Sequence, residues 1–563
     1  MAAPKPSCDL SVCLPEATDG RYSWIVVAGG IVAFTFAWAM GANDVPNAFA
    51  SVITSNVLSF KWAVAVSSVF ELVGALLMGT KVTSSIIENV VKWEELKHRA
   101  SLIMWGLTCA LTASSIWATI ATFYAWPIST THTIIGAMVA PLLVMNAKDS
   151  IYWTGKRKKT ETDGTWEGLP ISPVLGIAIS WVLSPVLAAT VAGIFFGLIK
   201  RFILRRQNSA ELTIKFLPFT SALTAFVIVL LVMFSSNSWL SDVRAWQSIL
   251  IALGLALAAL MLGFFVGVPF ARKRLKRYDS LRRLEIEAEL GEAAAAVGSS
   301  QERQLNEGGA ESGRRREGRD PEAAGDAPSA GSSFKCEFAQ TGYGGQDEGG
   351  DGGRGHGSAK KGVSWGFGGQ VVFDEHTLRL HALSEKFNPR TEELFQLFQV
   401  LAGCAMAFAH GSNDVGNPIG PFAVIYSIHR DGDKFFEPSF KVPVKIWMLV
   451  LGGVGICVGF AVWGWRVTTS IGGGLTLMTP SRGFSCLLTS SFIVAVASKL
   501  GLPISTTQVL VGSTLGVGAA DNFKTVDWWL FWKFFLSWVV TVAAAGGMTA
   551  FFFAVSVFSP IQP

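Results

Sequence analysis

The chain has 563 residues, of which 50% are hydrophobic and 15% charged, with a formal net charge of +5, 20 Trp and 39 Phe. This is the composition of a polytopic membrane protein, in which aromatics favour lipid-facing and interfacial positions. It excludes a nucleic-acid binder, because no basic patch alternates with exposed aromatics on a soluble domain. The seven Cys fit no metal spacing and no nucleophile–base pair stands out, so neither an enzyme nor a bound cofactor is expected.

Residues 1–22 form a tail without a basic segment, short apolar core and cleavage site, so the first span acts as its own insertion signal. Cys8 and Cys13 in this tail can pair if it is extracytoplasmic, whereas Cys109, Cys404, Cys457 and Cys486 lie in apolar segments and read as packing residues. A membrane-crossing helix needs about 20 apolar residues. Runs of this kind occupy 24–40, 62–79, 102–125, 133–145, 171–198, 216–234 and 249–270, and then 397–409, 447–465, 484–498, 508–518 and 529–558. The total is about twelve segments. The runs at 133 and 508 are short enough to be half-spans or re-entrant segments.

Lys200, Arg201, Arg205 and Arg206 follow the fifth run, and Arg272, Lys273, Arg274, Lys276 and Arg277 follow the seventh. The positive-inside rule puts both clusters in the cytoplasm and the N-terminus outside. Lys156 to Lys159 falls on the opposite side, mixed with acidic residues. Residues 271–387 then form a cytoplasmic loop. A helix is predicted from Leu281 to Val297, and residues 298–362 are Gly/Ser/Glu/Arg-rich with few apolar anchors, so disorder is expected there. Order resumes near Phe373, and Asn388-Pro389 opens an amphipathic helix that feeds the eighth run.

Four segments recur in the same order in two halves. Gly41-Ala-Asn-Asp-Val-Pro-Asn47 matches Gly411-Ser-Asn-Asp-Val-Gly-Asn417, and Val82-Thr-Ser-Ser-Ile86 matches Val467-Thr-Thr-Ser-Ile471. Pro127-Ile-Ser-Thr-Thr131 matches Pro503-Ile-Ser-Thr-Thr507, and Ser180-Trp-Val182 matches Ser537-Trp-Val539. The copies start at the first and eighth runs, an odd separation, so they cross the membrane in opposite directions. The fold class read from the sequence is therefore an all-α polytopic membrane protein built as two inverted-topology repeats with re-entrant or broken helices. The repeats cover 23–200 and 388–558, two additional scaffold spans cover 201–270, and 559–563 is a short tail.

An Asp flanked by two Asn interrupts an apolar run in each half, where a charge is costly and marks function. One such copy would read as a helix cap; two in matching contexts read as a site. Ser129, Thr130 and Thr131, and likewise Ser505, Thr506 and Thr507, follow a proline that favours a first helical turn. The freed N–H groups and hydroxyls of two such helix starts make donors for a tetrahedral oxyanion; the alternative is two ordinary helix N-caps. Asp44 and Asp414 would repel that anion unless a cation neutralises them. Together with Asn47 and Asn417 they offer hard oxygens suited to Na⁺. Glu71, inside the second run, has no acidic counterpart, and His132 occupies the place that Gln508 takes in the second half. All three are candidates for coupling; a structural hydrogen bond is an equal alternative for Glu71, and a neutral hydrogen-bonding role is the plainer reading of His132. Lys81 and Arg466 at span ends read as snorkelling residues.

These motifs resemble the inorganic phosphate transporter (PiT) family, of the sodium–phosphate symporter type. The resemblance rests on Gly41–Asn47 with Pro127–His132, on Gly411–Asn417 with Pro503–Gln508, and on Thr391-Glu392-x-Leu-Phe395 leading into Phe408-Ala-His410-Gly. Pro46 and Gly416 stand where the family has a small Ala, and Pro418 follows the second Asn. The resemblance implies inorganic phosphate as substrate and a plasma-membrane symporter. It also implies that Asn43, Asp44, Asn413 and Asp414 lie near the cation and anion sites, with Asn43 and Asn413 assigned to phosphate beside the two hydroxyl triplets. Relatives use Na⁺ or H⁺, and some carry sulfate, so a proton-coupled or other oxyanion permease is the alternative of the same class. A nutrient sensor and an ion channel are alternatives of other classes. The bilayer and the transported ions are the partners expected, a homodimer is left open, and nucleic acid is not expected.

Overall fold

A computed structural model describes residues 20–153, 158–159, 166–167, 173–235, 244–312, 363–364, 370–371, 374–499 and 504–559. In chain order the helices are α1 (Ser23–Asp44), α2 (Pro46–Thr54), α3 (Phe60–Val90), α4 (Ala100–Phe123), α5 (Thr130–Val144), α6 (Pro173–Ile199), α7 (Ser209–Ser235), α8 (Ala245–Leu262) and α9 (Val268–Ser312). They continue as α10 (Glu375–Ala382), α11 (Pro389–Asp414), α12 (Gly416–Asp431), α13 (Ile446–Trp463), α14 (Trp465–Thr469), α15 (Pro480–Lys499), α16 (Thr506–Asp521) and α17 (Trp528–Phe558). The regular structure among the described residues is helical apart from two pairs of two-residue strands. Among the described residues, ten helical stretches are long and apolar enough to cross a membrane. They coincide with ten of the twelve predicted runs. The other two runs are α5 and α16, the ones too short to span.

Residues 1–275 with 362–563 form one compact unit and residues 276–361 a second. In the second, α9 carries the helix predicted at 281–297 and runs on to Ser312. Residues 298–312, expected to be disordered, are thus helical, because Glu, Ala, Gln and Arg propagate a helix that is already nucleated. Residues 313–362, the tail with Cys8 and Cys13, and Pro503 lie outside the described residues.

The membrane unit has two faces. Ser23 Oγ lies 3.3 Å from His429 Nε2, and the Trp24 ring packs on Trp105, so α1 and α4 start where α12 ends. At the other face, Lys200 reaches Asp521 at the end of α16, and Arg482 at the start of α15 does the same. The α4–α5 pair therefore enters from the Ser23 face and turns back, and α15–α16 enters from the Lys200 face and turns back. These are the two re-entrant hairpins.

Each half packs on the other through the same contact. A Cβ on Gly41 would collide with the carbonyl of Ile456, and one on Gly459 with that of Trp38. With halves exchanged, a Cβ on Gly411 would collide with the carbonyl of Glu71, and one on Gly74 with that of Phe408. Only glycine lets these backbones approach so closely. The inverted repeats are thus interlocked, α1 on α13 and α11 on α3, and Glu71 occupies the place of Ile456.

Candidate functional site

The repeated Asn-Asp motifs end α1 and α11 at the middle of the unit. Pro46 has no N–H and opens α2 at its first position, and Gly416 opens α12. Val45 and Val415 between them keep helical angles, φ −61° and −56°. Each helix is therefore interrupted at the motif while the linking residue stays helical in its angles, because one missing donor and one glycine cost only part of a turn.

The hairpin tips arrive from opposite faces. α4 ends in a left-handed residue, Ala125 (φ 54°), with Trp126 N donating to Ala121 O at 2.9 Å. The non-helical backbone that follows must find partners at membrane depth. It finds Asn43, whose Nδ2 donates to Trp126 O (2.9 Å) and Thr122 Oγ1 (3.0 Å) and whose Oδ1 accepts from Ile128 N (3.0 Å). Trp538 Nε1 donates to Pro127 O at 3.1 Å. Asn43, expected at the phosphate, instead has its amide committed to the tip. Asn413, at the matching position, is partly exposed.

Ser129 and Ser505 are the N-caps of α5 and α16, accepting from His132 N (3.3 Å) and Gln508 N (3.4 Å). Their hydroxyls serve the helix starts, and the next residues face the aspartates. Thr130 Oγ1 donates to Asp44 Oδ2 at 2.6 Å, and Thr506 Oγ1 donates to Asp414 Oδ2 at 2.9 Å. The halves then cross: Thr507 Oγ1 donates to Asp44 Oδ1 (3.3 Å) and accepts from Asn47 Nδ2 (2.8 Å). Asn417 Nδ2 donates to Thr131 Oγ1 at 3.2 Å and Thr130 Oγ1 at 3.3 Å. Both aspartates, both second asparagines and the Thr pairs of both tips thus form one cluster, buried except at the half-buried Thr131.

That arrangement fits a hard cation. The amide oxygens of Asn47 and Asn417 are buried and accept no hydrogen bond among the described residues, as is true of Glu71 Oε1. A buried oxygen without a donor is costly unless something else coordinates it. The ligand atoms of Asp44, Asp414 and His410 lie within 4.8 Å of one another.

His410 is the residue that sequence reasoning missed. Its Nδ1 sits 2.9 Å from Glu71 Oε2 and its Nε2 3.0 Å from Asp414 Oδ2. The signal was available, since His410 and Asp414 are one helical turn apart and share a face. The other coupling candidates lie together along α6: His132 Nε2 is 3.2 Å from Ser180 Oγ, and Gln508 Oε1 accepts from Ser184 Oγ at 3.0 Å. Arg466, half-exposed, donates to Phe123 O at 2.8 Å and stacks on Phe123, Trp463 and Trp465, closing the end of α4. The Lys81 side chain lies outside what is described.

A sequence profile of the phosphate transporter family matches residues 40–549. The chain belongs to the phosphate transporter family. It is 28% identical to sodium-dependent phosphate transporter 1 of Mus musculus, over 94% of this chain and 95% of that one. It is 27% identical to the phosphate-repressible phosphate permease pho-4 of Neurospora crassa, over 93% and 96%. A solved structure described as the sodium-dependent phosphate transporter superposes with a TM-score of 0.65 over 95% of this chain and all of that one, at 23% identity. The fold and the motif-bearing halves are therefore those of a family of phosphate transporters, and the chain is a transporter rather than an enzyme.

Proposed function

We propose that this transporter family member imports inorganic phosphate together with Na⁺ by alternating access. The observation that carries the reading is the crossed cluster. Each aspartate is bonded by a threonine at the start of a re-entrant helix, and among the described residues the neighbouring Asn47 and Asn417 oxygens accept no hydrogen bond. Na⁺ between carboxylate, amide and hydroxyl oxygens would neutralise Asp44 and Asp414. The N–H and hydroxyl donors of residues 129–131 and 505–507 could then receive phosphate beside them. Two hairpins entering from opposite faces supply the moving parts. Rocking one tip away from the cluster would open the site to one face while the other tip keeps the second face closed. The basic residues of the Lys200 face support a cytoplasmic position for it, with the Ser23 face outside and the plasma membrane as the setting.

One observation favours a second reading, proton coupling: Glu71, His410 and Asp414 form a continuous buried chain of titratable groups. Uptake of labelled phosphate into proteoliposomes, under an imposed Na⁺ gradient or an imposed pH gradient, decides between them. Accumulation that needs Na⁺ and is indifferent to a pH gradient is expected. Accumulation in Na⁺-free buffer driven by pH alone overturns the Na⁺ reading, and saturable sulfate uptake without phosphate uptake overturns the substrate.

A further inference from the structure

The Lys200 face carries seven cations on two segments of the membrane unit, and their pairing is uneven. On the α6–α7 turn, Lys200 pairs with Asp521 and Glu385, and Arg205 pairs with Glu385. On the first turns of α9, Arg274 pairs with Glu393. The remaining four, Arg201, Arg206, Arg272 and Lys273, are exposed and have no carboxylate partner among the described residues. Two contacts bring these segments to the same turn of α11. Ser209 Oγ, at the start of α7, lies 2.8 Å from Thr391 Oγ1, and Arg274 Nε donates to Glu393 Oε1 at 2.8 Å. α7 also packs directly on the α8–α9 connection, where a Cβ on Gly263 would meet Pro218 and one on Gly267 would meet Leu217, so the start of α7 and the first turns of α9 lie side by side and their unpaired cations share one surface.

The same helices expose a phenyl surface next to that patch. Phe202 (53%), Phe219 (54%), Phe265 (72%) and Phe270 (55%) stand clear of the protein. Phe219 meets Phe216 and Phe264 edge-on or tilted, each at 6.2 Å, which joins α7 to the α8–α9 connection. A soluble anion would meet the charges alone, whereas the phenyl rings beside them are placed to face lipid chains. A molecule with an anionic phosphodiester and acyl chains satisfies both.

We propose that this patch seats the headgroups of anionic phospholipids, with their acyl chains against the phenylalanines. Each cation near an anionic lipid surface strengthens attachment about fivefold. The patch also touches transport. Arg201 and Arg206 share a two-turn segment with Lys200, which holds Asp521 at the end of α16, and the other end of α16 presents Thr506 and Thr507 to the aspartates.

The test uses the full-length protein in neutral detergent with equimolar phosphatidylserine and phosphatidylcholine, and counts retained lipids by native mass spectrometry. Wild type is expected to retain phosphatidylserine at least tenfold over phosphatidylcholine. The variant Arg201→Gln/Arg206→Gln/Arg272→Gln/Lys273→Gln is expected to lose that preference, and Lys441→Gln/Lys445→Gln, away from the patch, to keep it. If the fourfold variant unfolds, the pairs Arg201→Gln/Arg206→Gln and Arg272→Gln/Lys273→Gln are compared instead, each expected to lose part of the preference. An unchanged preference in the variants that fold overturns the proposal. So does displacement of phosphatidylserine by millimolar inorganic phosphate, which would make the patch a free-anion site. Uptake by wild type in vesicles with one-fifth phosphatidylserine is expected to differ at least twofold from that in pure phosphatidylcholine, a difference the fourfold variant lacks. Equal dependence in both would remove the link to transport.

Discussion

Glu71 and His410 face each other across the two halves, carboxylate Oε2 2.9 Å from imidazole Nδ1, with both side chains 1% exposed. The equivalent pair in the other half is Ile456 and Met40, since Gly41 packs on Ile456 as Gly411 packs on Glu71. The pseudo-symmetric site is therefore polar on one side and apolar on the other. A buried polar pair carries a desolvation cost that matched apolar residues would avoid, so the two sides of the site differ in chemistry although they share a backbone arrangement.

Glu71→Ala and His410→Ala should each destabilise the protein, because either leaves its partner buried and unsatisfied, at roughly 3–5 kcal/mol for a charged pair. The double variant should recover part of that loss. A double-mutant cycle by thermal unfolding checks it, and additive effects would mean that the two side chains act independently.

Asp44→Asn and Asp414→Asn keep volume and hydrogen bonding but remove the charge a cation must balance. Each is expected to abolish coupled uptake while eluting as folded protein. Wild-type uptake with unchanged cation dependence would assign that aspartate a structural role.

The interlocked glycines make a sharp comparison. Gly41→Ala and Gly459→Ala place a Cβ against the backbone carbonyls of Ile456 and Trp38, whereas a Cβ at Gly547 meets nothing within 4 Å. The first two should lose about 1–3 kcal/mol or more of stability. Gly547→Ala should be neutral or stabilising, since alanine is the better helix former. Differential scanning fluorimetry on the three variants reads this directly.

Glu385, outside the membrane spans, is held from the usual 4.5 down to about 2 by the Arg205 guanidinium and then by Lys200. A depressed carboxylate contributes stability above its unfolded pKa and loses it as pH falls through the folded one. The difference in melting temperature between wild type and Glu385→Gln should be full at neutral pH and shrink between about pH 4.5 and about pH 2. A difference that stays constant across this window would show that Glu385 acts by packing alone.

The sequence by itself determined the class of protein, the inverted repeat and the two half-spans, because hydropathy and motif duplication are local properties that one chain displays in order. It also placed Asp44, Asp414, Asn47, Asn417 and the two threonine pairs in one candidate site, and the structure brings them together. Tertiary structure alone decided which of the motif residues face the centre. Asn43 turns to serve a hairpin tip, and Ser129 and Ser505 cap their helices, because non-helical backbone at membrane depth takes any donor or acceptor within reach. It decided too that Glu71 meets His410, 339 positions away along the chain. That contact depends on where Gly74 and Gly411 let two helices touch, and close approach of backbones leaves no periodic trace in a sequence.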